Sequence, residues 1–211
     1  MLTLVAEIGA DPGEQLRKIR AAVAGGVDWV QLRDREAKTG DLLAFAEALR
    51  VACDGAADTR LLINRRVDVA LAIGADGAHL GYDAAASGDV RAAWLASDAA
   101  AEPLLGSSAH SAKEALNAWR AGADYVHLAP IYPPLSKHAE RPPLGLAPLA
   151  ELGRAGVAVF AQGGIQVDQI PSIVEAGARG IAVTGAILGA GDCERAAREL
   201  RGALDRREVG S

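Results

Sequence analysis

The chain has 211 residues, 50% of them hydrophobic, so it is long enough to bury a full core and we expect one domain over residues 1–211. The net charge of −5 at pH 7 argues against nucleic acid or an anionic membrane as a partner. No apolar run approaches about 18 residues, so we expect no membrane helix. The sequence has no recognisable signal peptide, so we expect a cytoplasmic protein. Its two cysteines are far apart, so we expect no zinc site.

Eight short apolar segments recur along the chain. Four of them follow a glycine, as in GADGAHLG and GADYVHLA, and this glycine suits the end of a helix, where a positive φ is needed. In chain order the predicted strands lie within residues 2–6, 25–32, 60–64, 74–81, 104–109, 122–129, 157–162 and 177–184.

Amphipathic helical patterns fill most of the gaps between these strands. Apolar strands that alternate with such helices indicate a parallel sheet covered by helices, and eight units predict a single (β/α)8 TIM barrel of the α/β class. An open doubly wound sheet is the alternative. A Pro-rich loop at 130–145, after the sixth strand, is predicted to border the active site. The predicted helices cover residues 13–24, 40–52, 66–73, 112–121, 147–154, 167–176 and 192–206.

The active site of this architecture lies at the C-terminal ends of the strands. After the second strand, alternation places Gln31, Arg33 and Arg35 on one side. Arginines at a barrel mouth suggest an anionic substrate, because the guanidinium fork suits phosphate. The alternative is an ion pair with Asp34, Glu36 or another carboxylate of the rim.

The third and fourth strands end in further polar residues. Asn64 and Arg65 follow the third strand and are candidate substrate-binding residues, whereas Arg66 is more typical of a solvated helix start. His79 in the fourth strand is more typical of a hydrogen-bonded core histidine than of a site residue.

The fifth strand and the Pro-rich loop supply candidate catalytic and clamping groups. Ser108 and His110 could bind an oxyanion or move a proton, and with Arg33 they are the candidate catalytic residues. Ser136 and Lys137 in the loop are candidate substrate-binding residues. Ser111 is instead typical of a helix N-cap, with Glu114 completing a capping box.

Glycine-bearing turns follow the seventh and eighth strands. Such turns let backbone N–H groups approach an anion, as in the usual phosphate site of this architecture. The candidate phosphate-binding residues are Gly163, Gly164, Thr184, Gly185 and Ala186.

Four segments resemble thiamine phosphate synthase and its TenI-type relatives: VQLRDR, LLINRRVDVALAIGADGAHLG, GSSAHSAKEALNAWRAGADYVHLAPIYPPLSK and VFAQGGIQVDQIPSIVEAGARGIAVTGAI. The resemblance covers nearly the whole chain, in order. It implies a protein of thiamine biosynthesis that binds a thiazole phosphate. The synthase joins hydroxymethylpyrimidine diphosphate to that thiazole phosphate with Mg²⁺ and releases diphosphate.

The resemblance carries over most of the candidate site. The positions that match the family's motifs are Gln31, Arg33, Asn64, Ser108, Ser136, Lys137 and Gly164, together with the turn at Gly185 and Ala186. Arg35 stands where the family has a lysine, and Pro134 stands where the loop has its first threonine.

Both metal-binding aspartates of the synthase are replaced. Arg65 takes the place of the first, and Ala84 takes the place of the second if the alignment has no gap, with Asp83 one residue earlier. A guanidinium reverses the local charge, so we expect no metal at that position and no cofactor, with Mg²⁺ needed only if synthase activity is retained.

Loss of the metal ligands is typical of TenI-type members, whose characterised activity is thiazole tautomerase. The missing metal ligands therefore favour that activity. Pro130 counts against it, because it occupies the place of the family's catalytic histidine and His127 lies three residues earlier, so His110 is the candidate acid or base instead. The alternatives are thiamine phosphate synthase and a non-catalytic thiazole-phosphate binder. A homo-oligomer remains open.

Overall fold

A computed structural model describes residues 1–55, 59–97, 101–133 and 141–206. Eight parallel strands close into one barrel in sequential order, with β8 pairing back to β1. The predicted (β/α)8 TIM barrel is therefore confirmed, and the open sheet is excluded. The strands are β1 (Leu2–Ala6), β2 (Trp29–Leu32), β3 (Arg60–Asn64), β4 (Gly77–Leu80), β5 (Leu104–Ala109), β6 (Tyr125–Leu128), β7 (Val159–Gln162) and β8 (Gly180–Val183).

Helices surround the barrel, and all but α4 and α8 agree with the predicted patterns to within a few residues. A 3₁₀ turn at Val167–Gln169 leads into α7. No helix of the described residues is long and apolar enough to cross a membrane. The helices are α1 (Pro12–Ala24), α2 (Thr39–Asp54), α3 (Val67–Ala72), α4 (Ser87–Leu95), α5 (Ala112–Arg120), α6 (Ala147–Arg154), α7 (Ile170–Glu175), α8 (Gly185–Leu188) and α9 (Cys193–Asp205).

The repeated glycine motif lies at the N-terminal face of the barrel, between the end of a helix and the start of the next strand. Its glycines adopt positive φ at the helix ends, as the sequence predicts, with values of 98° at Gly26, 61° at Gly74 and 95° at Gly122. The aspartate that follows joins two elements. Asp124 Oδ2, for example, accepts the N–H of Leu105 at 2.7 Å and lies 2.8 Å from Nη2 of Arg91 in α4.

The barrel interior is apolar near its N-terminal end and polar above. Trp29 lies between the rings of Phe160 and Tyr125, with ring centroids 5.0 and 4.8 Å away. Buried polar side chains follow nearer the C-terminal end, so the layer beneath the mouth is polar rather than purely apolar. They are Gln31, His79 and His127, whereas Thr3 is buried at the level of Trp29, its partner in the register of β1 and β2.

Candidate active site

Three adjoining cavities lie at the C-terminal mouth of the barrel. The central cavity, of about 310 Å³, is lined by side chains that include Arg33, Asn64, Ser108 and His110. The glycine cavity, of about 470 Å³, is lined by Gly163, Gly164, Thr184, Gly185 and Ala186 among others. The outer cavity, of about 400 Å³, is lined in part by Arg35, Arg65, Tyr82 and Asp83.

The three cavities form one continuous surface. The central and glycine cavities share Gln162, Gly163 and Thr184, and the central and outer cavities share Arg35 and Arg65. A larger cavity of about 640 Å³ lies between α1 and α2. We assign the site to the mouth because, within the described residues, cations, hydroxyls and glycine turns converge there.

Gln31 supports Asn64 from inside the barrel. Its side chain is buried, and its Nε2 donates to Asn64 Oδ1 at 3.1 Å. Asn64 lines both the central and the outer cavity, and this bond leaves its amide N–H groups available to a ligand. Gln31 therefore orients a contact residue and does not line these cavities itself.

Arg33 and Arg35 both line the central cavity. Arg33 Nη1 lies 3.6 Å from Glu7 Oε1. Burial lowers the pKa of Arg33, and the positive charge of Arg35 lowers it further, against the opposing effect of Glu7. Among the described residues Arg35 has no carboxylate within ion-pair distance, and Asp34 instead accepts the backbone N–H groups of neighbouring residues. A ligand anion would satisfy this excess of positive charge.

Arg65 holds its side chain against Asp83. The two form an ion pair, and both side chains lie over Gly81, where an added Cβ would be 2.6 Å from Arg65 Nε and 2.7 Å from Asp83 Oδ1. Arg65 has a φ of 62°, which only glycine adopts without cost. Ala84 is exposed and its N–H donates to the Gly81 carbonyl, so it brings no ligand atom to this place.

Arg66, the next residue, behaves as the sequence suggests. It donates to the carboxylate of Asp68 at 2.6 and 2.8 Å and to the hydroxyl of Thr39 at 3.2 Å. It is therefore fixed at the start of α3 by partners of its own.

Ser108 is oriented by a buried histidine. His79 Nε2 lies 2.9 Å from Ser108 Oγ, and its Nδ1 lies 3.1 Å from the hydroxyl of Tyr125. Burial lowers the pKa of His79 to about 3, so the ring is neutral at pH 7. The prediction of a hydrogen-bonded core histidine is borne out by this geometry, although one of its partners lines the central cavity.

His110 has one ring nitrogen held and the other available. Its Nδ1 donates to the Ala129 carbonyl at 2.9 Å, which leaves Nε2 as a proton acceptor. Its backbone N–H donates to Glu114 Oε2 at 2.7 Å, and its ring meets the edge of Tyr82 at a centroid distance of 5.6 Å. Glu114 thus bonds the residue before the Ser111 N-cap rather than closing a capping box.

His127 does not reach the mouth. It is buried inside the barrel, with its ring centroid 4.4 Å from that of His79. Neither ring nitrogen has a hydrogen-bond partner among the described residues. Burial lowers its pKa well below the ordinary value, with a further contribution from His79. His127 is therefore a neutral interior residue and cannot replace a catalytic histidine at Pro130.

The turn after β7 is packed against the segment after β6. Gly163 and Gly164 have φ values of 95° and 66°. An added Cβ on Gly163 would be 2.9 Å from Pro130 Cβ, and one on Gly164 would be 2.9 Å from the carbonyl carbon of Pro133. The N–H of Tyr132 donates to the Gly163 carbonyl at 3.1 Å. Only glycine fits both positions.

The turn after β8 presents backbone donors. The short helix α8 begins at Gly185, and the Thr184 carbonyl accepts the N–H groups of Ile187 and Leu188. The N–H groups of Gly185 and Ala186 have no intrahelical acceptor because the helix starts there. The glycine cavity therefore offers polar N–H groups beside a turn that has no side chain in the way.

Two candidate residues, Ser136 and Lys137, lie outside the described residues, as does Pro134.

Glu7 is a residue of the mouth that was not predicted from the sequence. It lines both the central and the glycine cavity. Thr3 and Val5 of β1 face the barrel interior, and the same alternation continued one step past the strand predicts that Glu7 faces the mouth.

The residues at the expected metal position do not fit Mg²⁺. In the described ranges no three His, Cys, Asp or Glu side chains come together in a way that could hold a metal ion. Asp83, one residue before the second aspartate position, is already paired with the guanidinium of Arg65. Mg²⁺ prefers several oxygen ligands and a net negative environment, which this arrangement lacks.

Comparisons with known proteins identify the family of the chain. The profile of a family described as thiamine monophosphate synthase matches residues 2–187. A thiamine-phosphate synthase of Roseiflexus sp. strain RS-1 is 39% identical over 187 residues, covering 88% of this chain and 77% of the relative. A thiamine-phosphate synthase of Chloroflexus aurantiacus is 39% identical over 202 residues, covering 95% of this chain and 90% of the relative.

A solved structure agrees over the full length. The thiamine phosphate pyrophosphorylase of Pyrococcus furiosus superposes with a TM-score of 0.83 at 29% identity, covering 100% of this chain and 96% of that protein. These relatives are described as synthases or pyrophosphorylases. They do not distinguish TenI-type members, and they support the synthase alternative better than the tautomerase that the sequence favoured.

Proposed function

The chain belongs to the thiamine monophosphate synthase family, and from that membership we propose that it is a thiamine-phosphate synthase. It would join the methylene carbon of hydroxymethylpyrimidine diphosphate to the ring nitrogen of a thiazole phosphate. The carbon–oxygen bond to diphosphate breaks as the carbon–nitrogen bond forms, and the electron pair of the broken bond leaves with diphosphate.

One observation carries this proposal: the mouth has two different anion-binding environments joined through shared residues. The glycine cavity offers backbone N–H groups, which suit a phosphate monoester. The central cavity offers the guanidinium groups of Arg33, Arg35 and Arg65, which suit a more highly charged group. Two substrates that each carry phosphate would fit side by side, with their reacting atoms between the two environments.

The polar residues between these environments would orient the substrates. Ser108 and Asn64 line the central cavity and are fixed from below by His79 and Gln31. A donor held in place before the reaction stabilises developing charge without reorganising. The arginines would therefore hold diphosphate as its leaving oxygen gains negative charge, while Ser108 and Asn64 fix the pyrimidine relative to the thiazole nitrogen.

The test is diphosphate release by the purified protein given both substrates, in EDTA and in Mg²⁺. We expect release in step with thiamine phosphate formation. Intact substrates after prolonged incubation under both conditions would contradict synthase activity and would leave either a tautomerase or a non-catalytic thiazole-phosphate binder.

A second candidate, thiazole tautomerase, is favoured by one observation. His110 Nε2 is the unshared acceptor of a ring that the Ala129 carbonyl holds in a single orientation, so it could take a proton from a thiazole in the adjoining cavity. Ultraviolet absorbance would follow aromatisation of thiazole carboxylate phosphate. Turnover that His110→Gln abolishes, without diphosphate release in the synthase assay, would establish the tautomerase instead.

A further inference from the structure

The place where the family resemblance implies a metal holds an ion pair instead. Arg65 stands at the first aspartate position, and its guanidinium contacts Asp83. Gly81 makes room for this pair, because a side chain at that position would overlap both groups. The pair is therefore a built feature of the turn after β4 and not a chance contact between two surface side chains.

The backbone at Arg65 supports the same view. Arg65 is the non-glycine residue with positive φ in the described part of the chain, and its N–H still donates to the His79 carbonyl at 2.9 Å. A left-handed conformation in a long-chain residue is unfavourable and persists where the surrounding structure imposes it. The sheet hydrogen bond anchors the residue, while the turn directs its side chain over Gly81 to the boundary between the central and outer cavities.

The cavity beside this pair has more cations than carboxylates. Arg33, Arg35 and Arg65 line the central cavity, whereas Glu7 is the one carboxylate among the described residues that line it. Arg35 and Arg65 both lower the pKa of Arg33, so their charges act on it at close range. An anion with several negative oxygens would relieve this repulsion and would bond more than one guanidinium.

We propose that Arg33, Arg35 and Arg65 bind a diphosphate group without a metal ion, and that Asp83 competes with this group for Arg65. Before the anion arrives, Asp83 neutralises Arg65 and keeps it at the edge of the cavity. When diphosphate enters, Arg65 exchanges the carboxylate for a phosphate oxygen. The inference rests on the proposed function for the identity of the anion, and it replaces the metal of the family with guanidinium groups of this chain.

Calorimetric binding of inorganic diphosphate in the presence of EDTA tests the proposal directly. We expect the wild-type protein to bind diphosphate under these conditions, and Arg65→Gln to weaken binding by about 10- to 100-fold, the value of a hydrogen bond to a charged group. Binding by the wild type only after Mg²⁺ is added, or no binding in either condition, would overturn it.

Arg60→Gln is the matched control. Arg60 begins the same strand β3 at the opposite end of the barrel and is exposed, so its loss changes the net charge equally but leaves the mouth intact. We expect its effect to stay within about 3-fold, since a distant exposed charge is screened by salt. Equal weakening by Arg60→Gln and Arg65→Gln would show a general charge effect and would contradict a site at Arg65.

Asp83→Asn tests the competition. Removing the carboxylate frees Arg65 and removes a negative charge beside the anion, so diphosphate should bind more tightly, by about 3- to 10-fold. Weaker binding would mean that Asp83 positions Arg65 for the ligand, and the competition would be wrong. Thermal unfolding of each variant shows whether the fold is retained.

Restoring both aspartates is an independent test of metal-free diphosphate binding. Arg65→Asp combined with Ala84→Asp should abolish diphosphate binding in EDTA and make it depend on Mg²⁺. The experiments distinguish a failure of this inference from a failure of the proposed function. Diphosphate binding in EDTA without synthase turnover would sustain the metal-free site alone, whereas turnover that requires Mg²⁺ would sustain the synthase alone.

Discussion

Individual side chains at the mouth were predictable to different degrees. Strand alternation placed Arg33 and Arg35 correctly at the central cavity, although β2 ends at Leu32 and Arg35 lies in the bend that follows. The contact between Arg65 and Asp83 could not be predicted in the same way. It depends on a left-handed φ at Arg65, and a non-glycine residue gives no sequence signal for that conformation.

Ser108→Ala tests the role of a single hydroxyl. The change removes a hydroxyl that His79 holds at the central cavity, so we expect diphosphate release in the reaction of hydroxymethylpyrimidine diphosphate with thiazole phosphate to slow by about 10- to 100-fold. Steady-state kinetics with both substrates would measure it.

Ser107→Ala is its control. Ser107 is the preceding residue of β5, so its side chain faces away from the barrel interior. A similar loss of activity in both variants would show that β5 is disturbed generally and would contradict a specific role for the Ser108 hydroxyl.

Elements with strong periodicity were predicted, and those without it were missed. The helix α4 was not predicted, because Ser87–Leu95 buries only Ser87 and Trp94 and shows little separation of apolar and polar faces. The helix α8 was missed because four residues are too few for a periodic pattern. The repeated glycine motif, in contrast, identified four strands, because a glycine with positive φ precedes each of them. In the first three repeats an aspartate also joins successive units at the N-terminal face.

Gly164→Ala tests the coupling between the turn after β7 and the segment after β6. The variant adds a left-handed strain of roughly 1–2 kcal/mol and a clash with the Pro133 carbonyl group. We expect lower stability and about 10-fold weaker binding of thiazole phosphate, because the turn must shift into the glycine cavity or away from it. Calorimetry and urea unfolding would measure the two effects.

Gly156→Ala separates the strain from the clash. Gly156 has a φ of 76°, and an added Cβ there meets no atom within 4 Å. We expect a similar strain but unchanged ligand binding. If the two variants lose stability equally and bind equally well, the packing of Gly164 against Pro133 has no part in the site.

At the scale of the molecule, the barrel interior couples the fold to pH. His79 and His127 are buried and neutral, with the pKa of His79 lowered from 6.5 to about 3. Between these values the unfolded chain binds a proton that the folded protein cannot, so stability is complete above about pH 6.5 and decreases as the pH falls towards about 3. Each such histidine contributes a slope of at most about 1.4 kcal/mol per pH unit.

His127→Leu should reduce this acid sensitivity. The change removes a ring whose nitrogens lack partners among the described residues, and it replaces the histidine with an apolar side chain of similar size. Urea unfolding at about pH 7 and about pH 5 should show a smaller difference in the free energy of unfolding than in the wild type. Phe160→Leu, which changes the same interior without a titratable group, should keep the wild-type difference.

The aromatic group at the base of the barrel gives the protein a built-in optical probe. Trp29 is buried between Tyr125 and Phe160, and it precedes Gln31 by two residues on β2. The other tryptophans, Trp94 and Trp119, lie in the outer helices α4 and α5. Replacing those two with phenylalanine would leave one tryptophan beneath the cavities, and its emission would report ligand binding at the mouth.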